Sequence, residues 1–432
     1  MRARWAVWAL ASAAIVPAGM AMAQVAHFQP SAPQPAQQGT ADPLAPAGTP
    51  ATVAPAPVEL PPPLWQPADA QQLLAYVQQV GTEGLDPRDY DPQLLAAALQ
   101  DSDPLRLSKV ATDIFNKLST DLALGHVRGS ARIQWFVVDK DLDKDRQRQL
   151  LEQALATRTI PQTLRGLLPT HPQYGALRNA LSVTSPTDTA TLDKIKLNMD
   201  RWRWLPRDLG NRYIIVNVPG QHATLVENSV TRWKHRAIAG AVKTPTPQLS
   251  VNATGVILNP WWEVPKSLSG EVSGKKGYVA VRGKDGKVQR WRQPPGPSNA
   301  LGKIKFVMQN PHAIYLHDTN NRGLFDARAR FLSHGCIRTE HILDLAAELL
   351  SDDGGEWTRE KIDEVLASGK STPANFVKPV PVYIVYFSAA ALVDGKIVTY
   401  QDLYKRDGQV LAALNDRGGV GPDAKKTQTA AR

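Results

Sequence analysis

The apolar residues of this 432-residue chain change their spacing near residue 212, and that change limits the fold more than any other feature. Between residues 64 and 183 they recur at helical intervals, with Leu73, Leu74 and Val77 in one run and Val110, Ile114, Leu118 and Leu122 in another. Gly81, Gly84, Pro87, Pro92 and Pro104 punctuate these runs, and Gly125 and Gly129 follow the second. A short helix carrying Leu192, Ile195 and Met199 then leads through Trp202, Trp204 and Pro206 into a β-branched strand at 213–218. Residues 223–226 follow after Pro219-Gly220 as in a hairpin, and further strands are expected at 236–242, 255–258, 304–308, 313–316 and 382–387. The chain reads as α+β, a helical domain followed by a β-rich one.

The remaining segments are set by composition. Residues 1–23 read as an export signal: Arg2 and Arg4, an apolar run broken by Pro17 and Gly19, then Ala21-Met22-Ala23. That run is shorter than the roughly 20 residues that span a bilayer, and no other segment is apolar enough, so no transmembrane segment is expected once the signal is removed. Residues 24–63, rich in Pro, Ala, Gln and Thr, read as a disordered tether. The helical domain is then 64–183, a connecting helix and linker 184–211, the β-rich domain 212–390, a C-terminal segment packing on it 391–417, and a disordered tail 418–432. Within the β-rich domain the Gly-, Lys-, Arg- and Pro-rich stretch 274–299 reads as a long insertion over a site, a lid spanning about 266–300. The formal charge of +10 is compatible with an anionic partner but does not choose one. The sequence holds no nucleic-acid module, and its densest basic cluster, Arg201, Arg203 and Arg207, reads as a solvated face.

One cysteine in a chain of this length excludes an internal disulfide, which gives weight to whatever surrounds Cys336. The surrounding pattern is Tyr315-Leu316-His317-Asp318-Thr319, fifteen residues after His317, then Ser333-His334-Gly335-Cys336-Ile337-Arg338. A thiol transfers acyl groups as its thiolate and so needs a base or a positive potential nearby. Two histidines compete. His334 shares the Cys336 face if the segment is extended, whereas His317 ends a strand that a loop can bring alongside; spacing does not rank them. Gly335 permits unusual backbone angles and close approach of a substrate, and N–H groups of such a turn are natural oxyanion donors. A zinc reading through His317, His334, Cys336 and His341 is disfavoured, because neither a C-x2-C pair nor an H-E-x-x-H helix is present. No metal or cofactor is expected.

These motifs resemble the L,D-transpeptidase family, whose catalytic domain is called YkuD-type. Lys243-Thr244-Pro245, Asn259-Pro260-Trp261-Trp262-Glu263-Val264-Pro265, the run from Arg292 to Gly302, Pro381-Val382-Tyr383 and Asp402-Leu403-Tyr404 are similar to its larger Gram-negative, YcbB-like subgroup. Glu83-Gly84-Leu85-Asp86-Pro87 and His171-Pro172-Gln173-Tyr174 resemble that subgroup's scaffold domain. The resemblance implies a mixed-sheet sandwich, Cys336 as nucleophile and His317 as general base, its ring oriented by a backbone carbonyl near Asp318. It also implies an oxyanion region lined by Ser333, His334, Gly335 and Cys336, and a groove near Arg338, Tyr315, Trp261 and Trp262; for Arg338 a structural salt bridge is an equal reading. The small peptidoglycan-binding module found in some members is missing between the two domains.

The implied reaction is acyl transfer between peptidoglycan stem peptides through a thioester, with loss of a terminal D-alanine, in the periplasm of a Gram-negative cell. Other wall-synthesis proteins are conceivable partners. The same residues would serve an L,D-carboxypeptidase or a lipoprotein-anchoring transpeptidase, and an inactive wall scaffold remains as the alternative to all three.

Overall fold

The computed structural model describes residues 63–419 except 139, 352–355 and 393–394. The export signal, all but the last residue of the tether, and the tail beyond 419 therefore lie outside the described residues. The helical part holds α1 (Pro67–Gln79), α2 (Pro92–Gln100), α3 (Pro104–Leu124), α4 (Lys144–Thr157), α5 (Ile160–Arg165), α6 (Pro172–Val183) and α7 (Thr189–Trp202). Residues read from periodicity do face its core: Leu73, Val77, Leu118 and Leu122 are fully buried. Asp103 caps α3 by accepting the Leu105 and Arg106 amides. Gly125 ends it at φ 84, where a Cβ would lie 2.6 Å from the Trp204 ring.

The strands are β1 (Arg212–Asn217), β2 (His222–Glu227), β3 (Val230–Gly240), β4 (Leu249–Leu258), β5 (Trp262–Glu263), β6 (Val279–Arg282), β7 (Val288–Gln293), β8 (Ile304–Met308), β9 (Leu316–His317), β10 (Phe331–Ser333), β11 (Ile337–Thr339), β12 (Thr372–Val385), β13 (Ala389–Ala391) and β14 (Ile397–Thr399). Helices α8 (Ser269–Val272), α9 (Ile342–Ser351), α10 (Arg359–Ser368) and α11 (Asp407–Leu414) complete the fold. The α+β reading holds, and the sheet is mixed. Its topology is a closed barrel in place of the expected sandwich: the order β3-β11-β9-β8-β4-β12-β1-β2 returns to β3 through the β2–β3 ladder. Eight strands leave an interior that side chains alone can fill. Ile214, Val216, Leu225, Val256, Ile304, Phe306, Leu316, Ile337, Val382 and Ile384 are buried in that core.

The two domains share a second core. Tyr213, Val226, Tyr383 and Val385 pack with Ile195, Met199, Trp202 and the residues of α1 to α6. Helix α7, expected as a connector, is a central element of that interface. Its polar residues made it look exposed, but two of the charged ones are buried and engaged: Asp200 accepts the His126 and Val127 amides and the Trp204 indole N–H, and Arg201 pairs with Asp407 at 2.7 Å. The solvated face expected at Arg201 and Arg203 is thus incorrect, since both are buried and Arg203 donates to Tyr174 Oη at 2.6 Å. The C-terminal segment packs on both domains: Arg406 donates to Thr246 O of the β-rich domain at 3.2 Å, Val410, Ala413 and Leu414 join Val127, Leu197 and Trp204, and Gly419 accepts the Arg128 amide. Gly419, expected in the disordered tail, is thereby a docked residue.

The lid also departs from its expected form. Strands β5, β7 and β6 make a three-stranded antiparallel sheet, and Val264, Leu268 and Val272 form a small core under Trp262, Tyr278 and Trp291. The Gly, Lys and Arg residues between them hid the alternation of Val279 and Val281 in the sequence.

Candidate active site

Three neighbouring strands set the site. Leu316 and Ile337 are opposite one another in the parallel β9–β11 pair and point into the barrel core. Side chains alternate along a strand, so Tyr315, His317, Cys336 and Arg338 share the other face. There they line one cavity of about 660 Å³, together with Lys305, His312, Ser333 and His334. Trp262, Val264, Pro265, Leu268, Tyr278 and Leu301 of the lid region form the opposite wall. Of the strand expected at 313–316 only Leu316 is in β9, which continues to His317; before it, Asn310 holds a turn by accepting the His312 and Ile314 amides, and Ala313 sits at φ 52.

The segment Ser333-His334-Gly335-Cys336 wraps the end of β3, because β10 and β11 flank that strand on its two edges. The crossing passes over Gly240, where a Cβ would meet Gly335 Cα at 3.2 Å and Thr244 O at 2.1 Å. Gly335 itself has φ 115, a left-handed conformation disfavoured for side-chain-bearing residues. Ser333 Oγ locks the turn, donating to Cys336 O at 2.5 Å and accepting the Gly335 N–H at 3.1 Å. Thr246 Oγ1 donates to Gly335 O at 2.8 Å, and Tyr404 Oη donates to Gly240 O at 2.5 Å. The expectation of Gly335 as an oxyanion donor is therefore corrected: its N–H is already committed to Ser333. The Cys336 and His334 amides have no acceptor among the described residues.

The electrostatics favour a thiol with an uncharged base. Burial holds the His317 imidazole down at about 3, helped by the Arg338 cation and, more weakly, by Lys305, while the Asp318 backbone acts in the other direction. His317 Nδ1 is buried and makes no hydrogen bond of good geometry. Burial pushes the Cys336 thiol up; the Tyr315 backbone N–H and phenol O–H, then Lys305 and Arg338, act in the other direction. The thiol lies 3.5 Å from Ala313 O. Tyr315 is in turn oriented by Trp262 and raised by burial and by Cys336.

Other expected residues fall as follows. His334 is exposed at the cavity edge, whereas His317 is buried on the strand beside β11. The Asp318 carboxylate accepts the Lys303 amide at 2.9 Å and the Arg322 guanidinium at 3.1 Å, fastening the end of the lid to β9. Trp262 lines the cavity, but Trp261 does not; it stacks under Arg292, 4.0 Å from its ring centroid. The structural salt bridge considered for Arg338 is absent among the described residues, and its Nε is buried without a partner. The metal set considered in the sequence does not assemble; the one group of three that converges among the described residues is His235, Glu340 and His341, and Arg236 already pairs with Glu340 at 2.5 Å. Lys305, Thr246 and Asn310 were missed, and Tyr404 was read only as part of a run resembling the family. Only Asn310, followed by Pro311, carried a local turn signal; the others become visible once β8, β3 and the C-terminal segment are brought together.

A lone thiol and an uncharged imidazole on one face of adjoining barrel strands are the groups that cysteine-based acyl transfer requires. Residues 211–382 match the L,D-transpeptidase catalytic domain of YkuD type, and residues 61–181 match the Scaffold domain. The chain therefore carries an L,D-transpeptidase catalytic domain of YkuD type behind an N-terminal Scaffold domain. A Haemophilus influenzae protein provisionally named an L,D-transpeptidase is 34% identical over 249 residues, covering 51% of this chain and 50% of that protein. This chain thus matches about half the length of that relative. Solved structures that align in part include an L,D-transpeptidase from Mycobacterium smegmatis (12% identity, 40% of this chain and 58% of that one, TM-score 0.22) and L,D-transpeptidase 1 of Mycobacterium tuberculosis (12%, 40% and 61%, TM-score 0.20). The assignment of the two domains rests on those two matches.

Proposed function

We propose that this chain is an exported enzyme that cross-links peptidoglycan stem peptides through a thioester on Cys336. The observation that carries this reading is the thiol of Cys336 beside the uncharged His317 on one cavity wall. In the first step His317 takes the thiol proton, and the sulfur attacks the carbonyl of an L-configured residue, diaminopimelate by family resemblance. The Cys336 and His334 amides face the developing oxyanion and replace water as donors. The amine of the departing D-alanine takes the proton back from His317, leaving the thioester. The amine of a second stem then attacks, passing its proton to His317 and returning the thiol as the new peptide bond forms. Trp262 and the lid core above the cavity limit the water that would hydrolyse the thioester. Among the described residues, no helix is long and apolar enough to cross a membrane, and the site of action is assigned to the periplasm from the signal-like residues 1–23.

The test is product analysis of the full chain with a tetrapeptide stem as donor and a second stem as acceptor. A cross-linked dimer with one D-alanine released per bond is expected, and Cys336→Ala makes none. Tripeptide alone would mean that water is the acceptor and the enzyme a carboxypeptidase. No product from the wild type would contradict the reading.

A further inference from the structure

Three residues stand side by side across the chemical wall of the cavity. In strand register Lys305 of β8 is opposite His317 of β9, and His317 is opposite Arg338 of β11. Adjacent strands are about 4.8 Å apart, so an uncharged imidazole is bracketed by a cation on each side. Both cations line the cavity and both are half-buried. Neither is neutralised. Lys305 Nζ sits 4.7 Å over the Tyr315 ring, and the one acidic side chain acting on it, Glu263, is engaged by Arg290 at 3.2 Å. No carboxylate acts on Arg338, and its Nε is buried without a hydrogen-bond partner. Two part-buried cations kept without a counter-ion are costly unless something supplies one.

The Cys336 thiolate is one anion they serve, but a single sulfur already faced by Tyr315 does not account for both. Arg338 is two residues beyond Cys336 on the same strand face, about 7 Å along the strand. One residue of extended peptide spans roughly 3.5 Å. A carboxylate on the residue just past the scissile bond therefore lies within the length of a lysine or arginine side chain of both Lys305 and Arg338. Arginine offers such a carboxylate a planar fork, and lysine a point charge.

Resting on the reading of Cys336 as acylated by a stem peptide, we propose that Lys305 and Arg338 form a carboxylate receptor that seats an anionic peptide donor against the thiol. The terminal carboxylate of the leaving residue is the ligand that fits the spacing; a side-chain carboxylate of the donor's diamino acid carries the same chemistry. Binding has a further effect. A carboxylate between the two cations cancels part of the potential that keeps His317 uncharged, so the seated donor makes the imidazole a stronger base.

The experiment compares three synthetic tetrapeptide donors, the free acid, its C-terminal amide and its side-chain amide, by the kcat/KM of acylation. Wild type, Lys305→Met, Lys305→Arg, Arg338→Gln and Arg338→Lys are tested, with melting curves to establish folding. The free acid is expected to exceed one of the amides by about 10- to 100-fold in the wild type, as for hydrogen bonds to a charged group. Lys305→Met and Arg338→Gln reduce that ratio mainly through KM, and the conservative variants recover part of it. Loss against the C-terminal amide assigns the terminal carboxylate, and loss against the side-chain amide assigns the other; either supports the receptor. An acid-to-amide ratio near one in the wild type, or one unchanged in both neutral variants, overturns it. A simple role in holding the thiolate would slow all three donors equally and leave the ratio intact, which also overturns it. Failure of the wild type to be acylated by any donor would instead contradict the function on which the receptor rests.

Discussion

The two walls of the cavity are built on different scales. The wall bearing Tyr315, His317, Cys336 and Arg338 is the outside of a closed barrel, with Leu316 and Ile337 anchored in its main core. The lid wall stands on a core of Val264, Leu268 and Val272, covered by three half-buried aromatic residues. In the proposed reaction, the geometry that must be held to fractions of an ångström is on the first wall, and the surface that would meet the peptide is on the second. Local opening follows the number of buried contacts, so the lid is the part that can move while the barrel stays folded.

Substitutions on the two walls should therefore fail in different ways. The largest effect is expected for His317→Gln, which removes the base from the rigid wall and should lower kcat about 10²- to 10⁴-fold with little change in KM. Stopped-flow acylation measures it, and a drop confined to KM would contradict the base assignment. Next is Gly335→Ala. A Cβ there meets Ile314 Cδ1 at 3.2 Å, and the residue must keep φ 115, so a loss of about 1–3 kcal/mol is expected along with impaired acylation. Unaltered denaturation and activity would show that the turn is not fixed.

Acid should separate the walls as well. His317 is held at about 3, and His171 and His222 at about 4, all below the ordinary histidine value of 6.5 and all in or against the barrel. Their folded values are depressed, so the unfolded chain binds more protons. Stability is fully present above about pH 6.5 and is lost as the pH falls towards 4 and then 3. Each histidine contributes roughly 1.4 kcal/mol per pH unit in that window. Urea titrations at pH 7.5 and 5 measure this, and a flat profile would mean that these rings are not buried in the uncharged state. The smallest global effect is expected for Leu268→Ser in the lid. It should raise KM several-fold and speed amide exchange of residues 262–293, while the global melting temperature changes by only a few degrees. A fall in melting temperature as large as that of Gly335→Ala would remove the distinction between the walls.

The same division describes what could be read from the sequence. Strands β1, β2 and β8 and helices α1 and α3 were legible because short apolar runs bounded by turn residues mark the strands and a helical period marks the helices. The chemical residues Cys336 and His317 were legible from a motif. Barrel closure was not, since it depends on the β2–β3 ladder bending back to meet β11 rather than on any local pattern. Lys305 reads as a surface residue in Ile304-Lys305-Phe306, and only the neighbouring strands turn it towards the thiol. Arg201 and Arg203 look solvated until Asp407 and Tyr174 arrive from distant parts of the chain. The lid was visible as an interruption but not as a folded unit, because its core has so few residues.

The central claim is that Cys336 carries the acyl group. Intact-mass measurement of the mature protein mixed with a tetrapeptide donor and no acceptor tests it most directly, with the adduct mapped by digestion and Cys336→Ala run in parallel. The expected result is an adduct equal to the donor less its terminal residue, located on Cys336 and absent from the variant. No adduct on the wild type, or an equal adduct on Cys336→Ala, would contradict it.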